Sequence, residues 1–229
     1  MVVEETIADT ETAAPVPLQR GEQLVDQAVR YTEERHWDVF AGTWLEAADG
    51  REVCSCGAAE CAAPGAHPTG EDWASRATGS AVQVRRIWAE RPRSSILLPT
   101  GRTFDALDVP DAAGFLALAR LERMERTIGP VTLTPGDRML FFVLAGTGAK
   151  VPDRVRKLGW IPDAIDLSVR GEGAYVAAPP TRVGGRGAVQ WAQPPTPANR
   201  WLPDAEELTD ALAYACGREA AAERARRGA

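Results

Sequence analysis

Hydrophobic residues recur along the 229-residue chain with two different periods, one typical of helices and the other of strands. Segments whose apolar residues return every three or four positions predict helices at 21–35, 80–90, 111–128 and from Pro203 onward. Shorter apolar or alternating runs predict strands at 37–45, 95–99, 103–109, 131–134, 138–145, 174–178 and 188–192. Helices and strands do not alternate regularly, so the pattern predicts an α+β fold with a mostly antiparallel or mixed sheet flanked by helices.

Composition divides the chain into three parts. Residues 1–19 are acidic and poor in hydrophobic residues, which predicts a disordered tail. Residues 20–195 are expected to form the folded domain, with a cysteine-rich loop at 53–68 and a looser segment at 146–173. Residues 196–229 are expected to form a Pro-rich linker and a C-terminal helix.

The sequence also predicts where the protein resides. No stretch of it approaches the ~20 apolar residues that a membrane-spanning helix needs. The N-terminus lacks the basic start and the apolar centre of a secretory signal. We therefore expect a cytoplasmic protein that has no membrane partner.

The charge of the chain is unevenly distributed. The net charge of −6 argues at first against a nucleic-acid binder, because such proteins usually carry a basic surface. Residues 76–102, however, contain six arginines and one glutamate, a net charge of +5. This stretch is compatible with an anion-binding face. A solvated surface in an arginine-rich protein is the alternative interpretation.

Three of the four cysteines lie close together and are followed by one of the two histidines. The four residues are Cys54, Cys56, Cys61 and His67. Three thiolates and one imidazole are the ligand set of a closed, tetrahedral zinc site, whose role is structural. The alternative is a loop of reduced, unliganded thiols. Cys216 lies on the apolar side of the last helix and is expected to be a small core residue.

A series of further motifs follows in a fixed order along the chain. They include RYTEERHWDVF, CSCG…PGAHP, SILLPTG with FDALDV, GPVTLTPGDRMLFF and DLSVRGEGAYVAAPPT. Together they resemble the N-terminal primase-polymerase (prim-pol) domain of bifunctional DNA primase/polymerases, in the archaeo-eukaryotic primase superfamily. The resemblance covers roughly residues 21–195 and implies a prim-pol-like sheet with a small zinc-binding loop. It also implies template-directed nucleotidyl transfer, with DNA and nucleoside triphosphates as partners.

The resemblance implies a set of functional residues. In the family, an acid-x-acid pair at a strand end and a later acid hold two Mg²⁺ or Mn²⁺ ions, which clamp the attacking and leaving oxygens. These catalytic roles fall on Asp108 and Asp166, with Asp111 as a further ligand if the chain bends there. Nucleotide or nucleic-acid contacts are implied at Thr100, Gly101, Arg102, Arg138 and Arg170. The helicase half of many relatives is absent, so a separate helicase or replication protein is the implied partner.

This chain departs from the family pattern at three other functional positions. Pro110 stands where the second acid of the pair is expected, Met139 where a nucleotide-contacting histidine is expected, and Ala66 where a basic residue is expected. Asp105 lies three residues before Asp108, so on a regular strand it points to the opposite face. We therefore expect a primase/polymerase-like domain whose activity is weakened or lost. The alternative is a catalytically inactive module, with structural zinc, that binds nucleotides, nucleic acid or another protein.

Overall fold

The structure, a computed structural model, describes residues 20–48 and 50–227, so the acidic tail predicted at 1–19 lies outside the described residues. The helices are α1 (Arg20–Arg35), α2 (Trp73–Arg76), α3 (Ala81–Glu90), α4 (Asp111–Arg123), α5 (Val151–Lys157) and α6 (Ala205–Arg227). The strands are β1 (Phe40–Ala41), β2 (Leu45–Ala48), β3 (Arg51–Cys54), β4 (Ile96–Pro99), β5 (Phe104–Pro110), β6 (Val131–Thr134), β7 (Arg138–Leu144), β8 (Ser168–Arg170), β9 (Tyr175–Ala177) and β10 (Gln190–Gln193). No helix within these ranges is long and apolar enough to cross a membrane.

The strands form three antiparallel sheets. The central sheet has five strands in the order β10-β6-β7-β5-β8. A second sheet has the order β1-β4-β9, and β2 and β3 form a separate hairpin. Helices cover the central sheet, so the predicted α+β fold with a C-terminal helix is confirmed.

The two faces of the central sheet pack against different layers. Leu107 and Val109 of β5 lie in a core with residues of α4, α5 and α6. Phe104 and Ala106 lie in a second core with residues of α1 and α3 and with Trp37. Because side chains alternate along a strand, Asp108 belongs to the face of Phe104 and Ala106. This alternation decides which residues can reach Asp108.

The C-terminal helix is an integral part of the first core. Leu208, Leu212 and Ala215, which the sequence places on its buried face, are fully or almost fully buried. Cys216 is buried beside them, as predicted for a small core residue, and burial raises the pKa of its thiol to about 12. Tight packing of α6 is also visible at Gly217, where an added Cβ would lie 2.3 Å from the Trp160 ring.

Three elements differ from the sequence-based expectation. The strand predicted at 37–45 is limited to β1, because after Gly42 the chain turns to bond the cysteine-rich loop, with the Thr43 N–H donating to the His67 carbonyl. The helix predicted to end at 128 ends at Arg123, since Glu125 adopts a left-handed backbone conformation with a φ of 53°. The segment at 146–173 contains α5 and β8, which are too short to give a clear period.

Candidate active site and metal centre

Asp108 is a buried carboxylate held by two arginines. Only 4% of its side chain is exposed. Its Oδ1 accepts a hydrogen bond from Arg138 Nε at 2.7 Å, and its Oδ2 accepts from Arg170 Nε at 2.8 Å and lies 2.6 Å from Arg170 Nη2. β7 and β8 flank β5 on either side, so strand pairing brings both arginines to the same face as Asp108. Each carboxylate oxygen therefore has a charged donor.

Arg138 also binds a second carboxylate. Its Nη1 and Nη2 donate to the two oxygens of Asp166 at 2.5 and 2.9 Å. Burial acts to lower the pKa of Arg138, but hydrogen bonds and charge from Asp166 and Asp108 raise this pKa above its usual value. Asp108, Arg138, Asp166 and Arg170, here called the arginine–aspartate cluster, thus combine two positive and two negative charges.

Asp111 lies apart from this cluster. It is the first residue of α4, and its Oδ1 accepts from the N–H of Ala112 at 2.6 Å. Its own N–H donates to the carbonyl of Asp137 at 2.9 Å. Between Asp108 and Asp111, Pro110 pairs with Arg138 on the cluster's face. A proline ring has no metal ligand, so the position two residues after Asp108 offers none.

The carboxylates as placed do not fit a pair of divalent cations. Both oxygens of Asp108 and both oxygens of Asp166 accept from guanidinium groups, and the Asp111 carboxylate bonds its own helix start. Within residues 20–48 and 50–227, the cysteine–histidine group is the only set of three or more potential ligands close enough to share an ion. The geometry therefore assigns no step to Mg²⁺ or Mn²⁺ at this cluster.

The other two positions at which this chain departs from the family pattern, Met139 and Ala66, are not part of the cluster. Met139 is fully buried on the opposite face of the central sheet, where an added Cβ on Gly114 would meet its sulfur at 2.5 Å. Arg138, its neighbour, is the β7 residue that faces Asp108. Ala66 is buried within the cysteine-rich loop, directly before His67. Asp105 faces away from the cluster, as predicted, and its Oδ2 accepts from the Gly148 N–H at 3.0 Å.

The Thr100–Gly101 turn braces the segment that follows Arg170. The Thr100 hydroxyl is buried and donates to the carbonyl of Gly171 at 2.6 Å. Gly101 has a φ of 85°, and an added Cβ would lie 2.3 Å from Glu172 Cα. Both residues therefore position the chain beyond the cluster. Arg102 is tied elsewhere, to Asp38 at 3.1 Å and to the carbonyl of Ala74 at 2.8 Å.

The close contact between Gly101 and Glu172 makes position 101 sensitive to the addition of a single methyl group. Gly173 is the matched control, because its φ of 79° is similar but nothing lies within 4 Å of an added Cβ. Gly173→Ala should cost ~1–3 kcal/mol through backbone conformation alone. Gly101→Ala should cost ~1–3 kcal/mol more, because the new atom overlaps the Glu172 backbone. Urea unfolding of the two variants checks this, and equal losses would show that the turn yields freely.

The four residues of the predicted zinc set meet at one point. Their ligand atoms all lie within 4.8 Å of one another, with Cys54 Sγ 3.4 Å from His67 Nε2. The Nδ1 of His67 is 2.8 Å from the carbonyl of Pro68 and donates to it, which leaves Nε2 free to bind a metal. The backbone N–H of Gly65 donates to Cys54 Sγ at 3.3 Å. The cluster could therefore hold a zinc ion, as the sequence predicted.

Local backbone features build this metal centre. Cys54 ends the hairpin strand β3, and Gly57 and Gly65 turn the chain with positive φ angles of 75° and 77°. Burial acts to raise the pKa of Cys54, but hydrogen bonds from the N–H groups of Cys56 and Gly65 and from nearby side chains lower it to about 6. Burial raises the pKa of Cys61 to about 11. At neutral pH these pKa values favour the thiolate form of Cys54 and the thiol form of Cys61.

One feature near the site, a group of three aromatic side chains, was not expected from the sequence. Trp73 of α2 stacks on Phe40 at 4.7 Å between ring centroids and meets Tyr175 edge-on at 5.6 Å. The carbonyl of Tyr175 accepts from Arg170 at 3.4 Å, so this aromatic group adjoins the arginine–aspartate cluster. The sequence does not reveal it, because Phe40, Trp73 and Tyr175 lie far apart along the chain and meet only in the folded structure.

The basic stretch at 76–102 is largely neutralised. Ion pairs with carboxylates are made by Arg76, Arg85, Arg86, Arg93 and Arg102. Most of these pairs are exposed, so each contributes little to stability. They compensate the local charge, and this favours the solvated-surface interpretation over an extended anion-binding face.

The structure combines an antiparallel sheet, with an aspartate near the end of the interior strand β5, and a Cys₃His group on a nearby loop. These features define an α+β domain with a polar site at a strand end. The sequence model for the family "Bifunctional DNA primase/polymerase, N-terminal" matches residues 28–201. The match spans most of the chain, so the protein belongs to this prim-pol family, and the predicted family is confirmed. No curated protein matches the chain.

Proposed function

We propose that this chain is a prim-pol domain that binds nucleoside triphosphates and single-stranded DNA but has weak or no two-metal nucleotidyl transfer. One observation carries the proposal: the guanidinium groups of Arg138 and Arg170 already bind the oxygens of Asp108 and Asp166. A divalent cation at Asp108 would have to displace both arginines. Without that displacement the cation would lie close to two positive charges, which oppose its binding.

The same arginines support anion binding. The Arg138 and Arg170 side chains are 27% and 42% exposed, so part of each guanidinium is open to solvent. Asp166 is 61% exposed and binds only through Arg138 within the cluster. A phosphate can take the place of Asp166 and receive the same pair of N–H groups, because guanidinium groups bind carboxylate and phosphate in the same forked geometry.

Metal-dependent nucleotidyl transfer is the second candidate function, and family membership favours it. It would use Asp108, Asp111 and Asp166 as ligands. The requirement is that Arg138 and Arg170 move away and that the α4 start brings Asp111 inward. In this reading Thr100, Gly101 and Arg102 would contact the nucleotide directly rather than brace the neighbouring turn.

We further propose that zinc occupies the cysteine–histidine cluster. Cys54, Cys56, Cys61 and His67 would supply all four ligands, and the bound ion would be structural because no position remains open for substrate. The protein would act in the cytoplasm, and DNA and a separate helicase or replication protein would be its partners.

A primer-extension assay separates the two candidate functions. Purified protein is incubated with a labelled primer–template, nucleoside triphosphates and either Mg²⁺ or Mn²⁺. In a separate experiment without either ion, fluorescence anisotropy measures the binding of single-stranded DNA and of ATP. We expect no extension, and we expect salt-sensitive binding in the absence of both ions.

Controls make each outcome interpretable. Extension that Asp108→Ala abolishes would establish the catalytic function instead. Arg170→Gln should weaken binding without Mg²⁺ or Mn²⁺, whereas Arg154→Gln, on the distant α5–α6 surface, should not. Absence of both extension and binding would contradict the proposal and leave a protein-interaction module.

A further inference from the structure

A second concave site lies at the opposite end of β4 from the Thr100–Gly101 turn. It is a cavity of about 530 Å³ beside Ser95, which directly precedes the strand. Its walls come from α1, the β2–β3 hairpin, the segment before β4 and residues 180–188. The volume lies within the ~300–1,000 Å³ of small-molecule sites in proteins. No residue of the arginine–aspartate cluster lines it.

The cavity has an aromatic face whose orientation is fixed. Trp44 lines the cavity, and its Nε1 donates to Glu46 Oε1 at 2.7 Å. The guanidinium of Arg93 lies 5.9 Å from the centroid of the indole ring. The remaining walls are mainly apolar and include Leu24 and Leu45. The indole ring of Trp44 is already held in one orientation between apolar walls. A flat ligand ring can therefore stack on it with little loss of conformational entropy in the protein.

The charges around the cavity cancel. Arg93 pairs with Glu46 at 3.3 Å, and Arg182 pairs with both oxygens of Glu52. All four of these residues line the cavity. The cavity therefore has no surplus positive charge for a phosphate, in contrast to the open guanidinium groups of the arginine–aspartate cluster. The balance favours a neutral ligand.

A buried hydroxyl without a hydrogen-bond partner lies in the wall of the cavity. Ser95 lines the cavity and is 4% exposed, and its Oγ makes no hydrogen bond in the structure. A buried polar atom that lacks a partner is costly, so such atoms in native proteins call for an explanation. The Oγ atom is itself enclosed by protein, beside Gly42, so Ser95 contributes to the wall of the cavity and not to a contact with the ligand.

From these features we propose that the cavity binds a neutral, planar heteroaromatic ligand of nucleoside size. Its ring stacks on Trp44, and its amino or N–H groups donate to Glu46 or Glu52. This site is separate from the proposed phosphate-binding cluster and needs no phosphate. It would make the domain a sensor or carrier of a nucleoside-like molecule in addition to its proposed function.

Calorimetric titration of the full chain with adenosine and with thymidine tests the proposal. We expect at least one of them to bind, and Trp44→Leu to weaken that binding about fivefold or more, as the usual strength of base–aromatic stacking implies. Ala188→Phe, which fills the cavity, should abolish it. Trp201→Leu is the matched control and should leave it unchanged, because Trp201 is 81% exposed and outside the cavity.

A competition experiment distinguishes nucleoside binding in the cavity from the proposed nucleotide binding at the arginine–aspartate cluster. Inorganic pyrophosphate, which carries only the anionic part of a triphosphate, should not compete with the nucleoside. Competition would place the nucleoside at the arginine–aspartate cluster and overturn the proposal. Absence of binding by both nucleosides would also overturn the proposal, as would nucleoside binding that survives in Trp44→Leu. Thermal unfolding checks that each variant folds, and if Ala188→Phe does not, Trp44→Leu alone decides.

Discussion

Replacing Cys54 by serine should remove the metal from the protein and strongly destabilise the β2–β3 hairpin. Metal analysis of the wild-type chain should find one zinc per molecule, and the variant should retain none. Cys54 is buried, receives the Gly65 N–H and ends β3, so its sulfur links the metal centre to the hairpin. A ligand at 1,000 times its Kd stabilises the folded state by ~4 kcal/mol, and loss of zinc should cost a comparable amount.

A second cysteine provides the control. Cys216→Ser changes the same atom at a site of similar burial, where the sulfur packs in the helical core far from His67. This variant should keep one zinc per chain and lose stability only through the polar hydroxyl in an apolar site. Addition of a chelator should lower the melting temperature of the wild type and of Cys216→Ser, but not that of Cys54→Ser. A metal-free wild-type protein would contradict the zinc assignment.

The metal centre could be predicted from the sequence because its parts are local. Cys54, Cys56, Cys61 and His67 lie within 14 consecutive residues, so a loop must bring them close whatever the rest of the fold does. Spacing and ligand type therefore indicated the site directly. The hairpin that carries Cys54 was not predicted, because β2 and β3 are half-exposed strands without a strong apolar alternation.

The arginine–aspartate cluster could not be predicted in the same way. Asp108 is separated by 30 residues from Arg138 and by 62 from Arg170, so their contact depends on which strands flank β5. The register also decides which residue of β7 faces the site. The resemblance named both Arg138, as a nucleotide contact, and Met139, at the position of a histidine, but only the alternation of side chains along β7 shows that Arg138 lies beside Asp108. Strand order and register are long-range properties that a local pattern does not contain.

The fold class was easier to predict than its details. The mixture of helical and strand periods was sufficient for an α+β fold, since long elements such as α1, α3 and β7 have clear patterns. Short elements do not show such clear patterns. β8 has three residues, yet it forms the edge of the central sheet and carries Arg170 into the cluster. The resemblance named Arg170, but its contact with Asp108 could not be foreseen because it depends on one of the least recognisable strands.

Replacing Arg138 and Arg170 together by methionine should cause the largest loss of stability among substitutions at the cluster. The Asp108 carboxyl group would remain in a site where only 4% of its side chain is exposed, with both of its charged partners gone. Leaving a buried charge without its partner typically costs ~3–5 kcal/mol. The free energy of unfolding in urea measures this. Arg154→Met is the control, because its pair with Asp210 is exposed and should contribute no more than ~1 kcal/mol.

A third substitution distinguishes a buried charge from a general packing defect. Adding Asp108→Leu to the double variant removes the uncompensated charge while it fills similar volume, so most of the lost stability should return. If the triple variant stays as unstable as the double variant, packing rather than charge explains the loss. Once stability is restored, the triple variant offers a folded protein without the cluster's arginines. Loss of ATP and single-stranded DNA binding in that protein would follow directly from removal of the guanidinium groups.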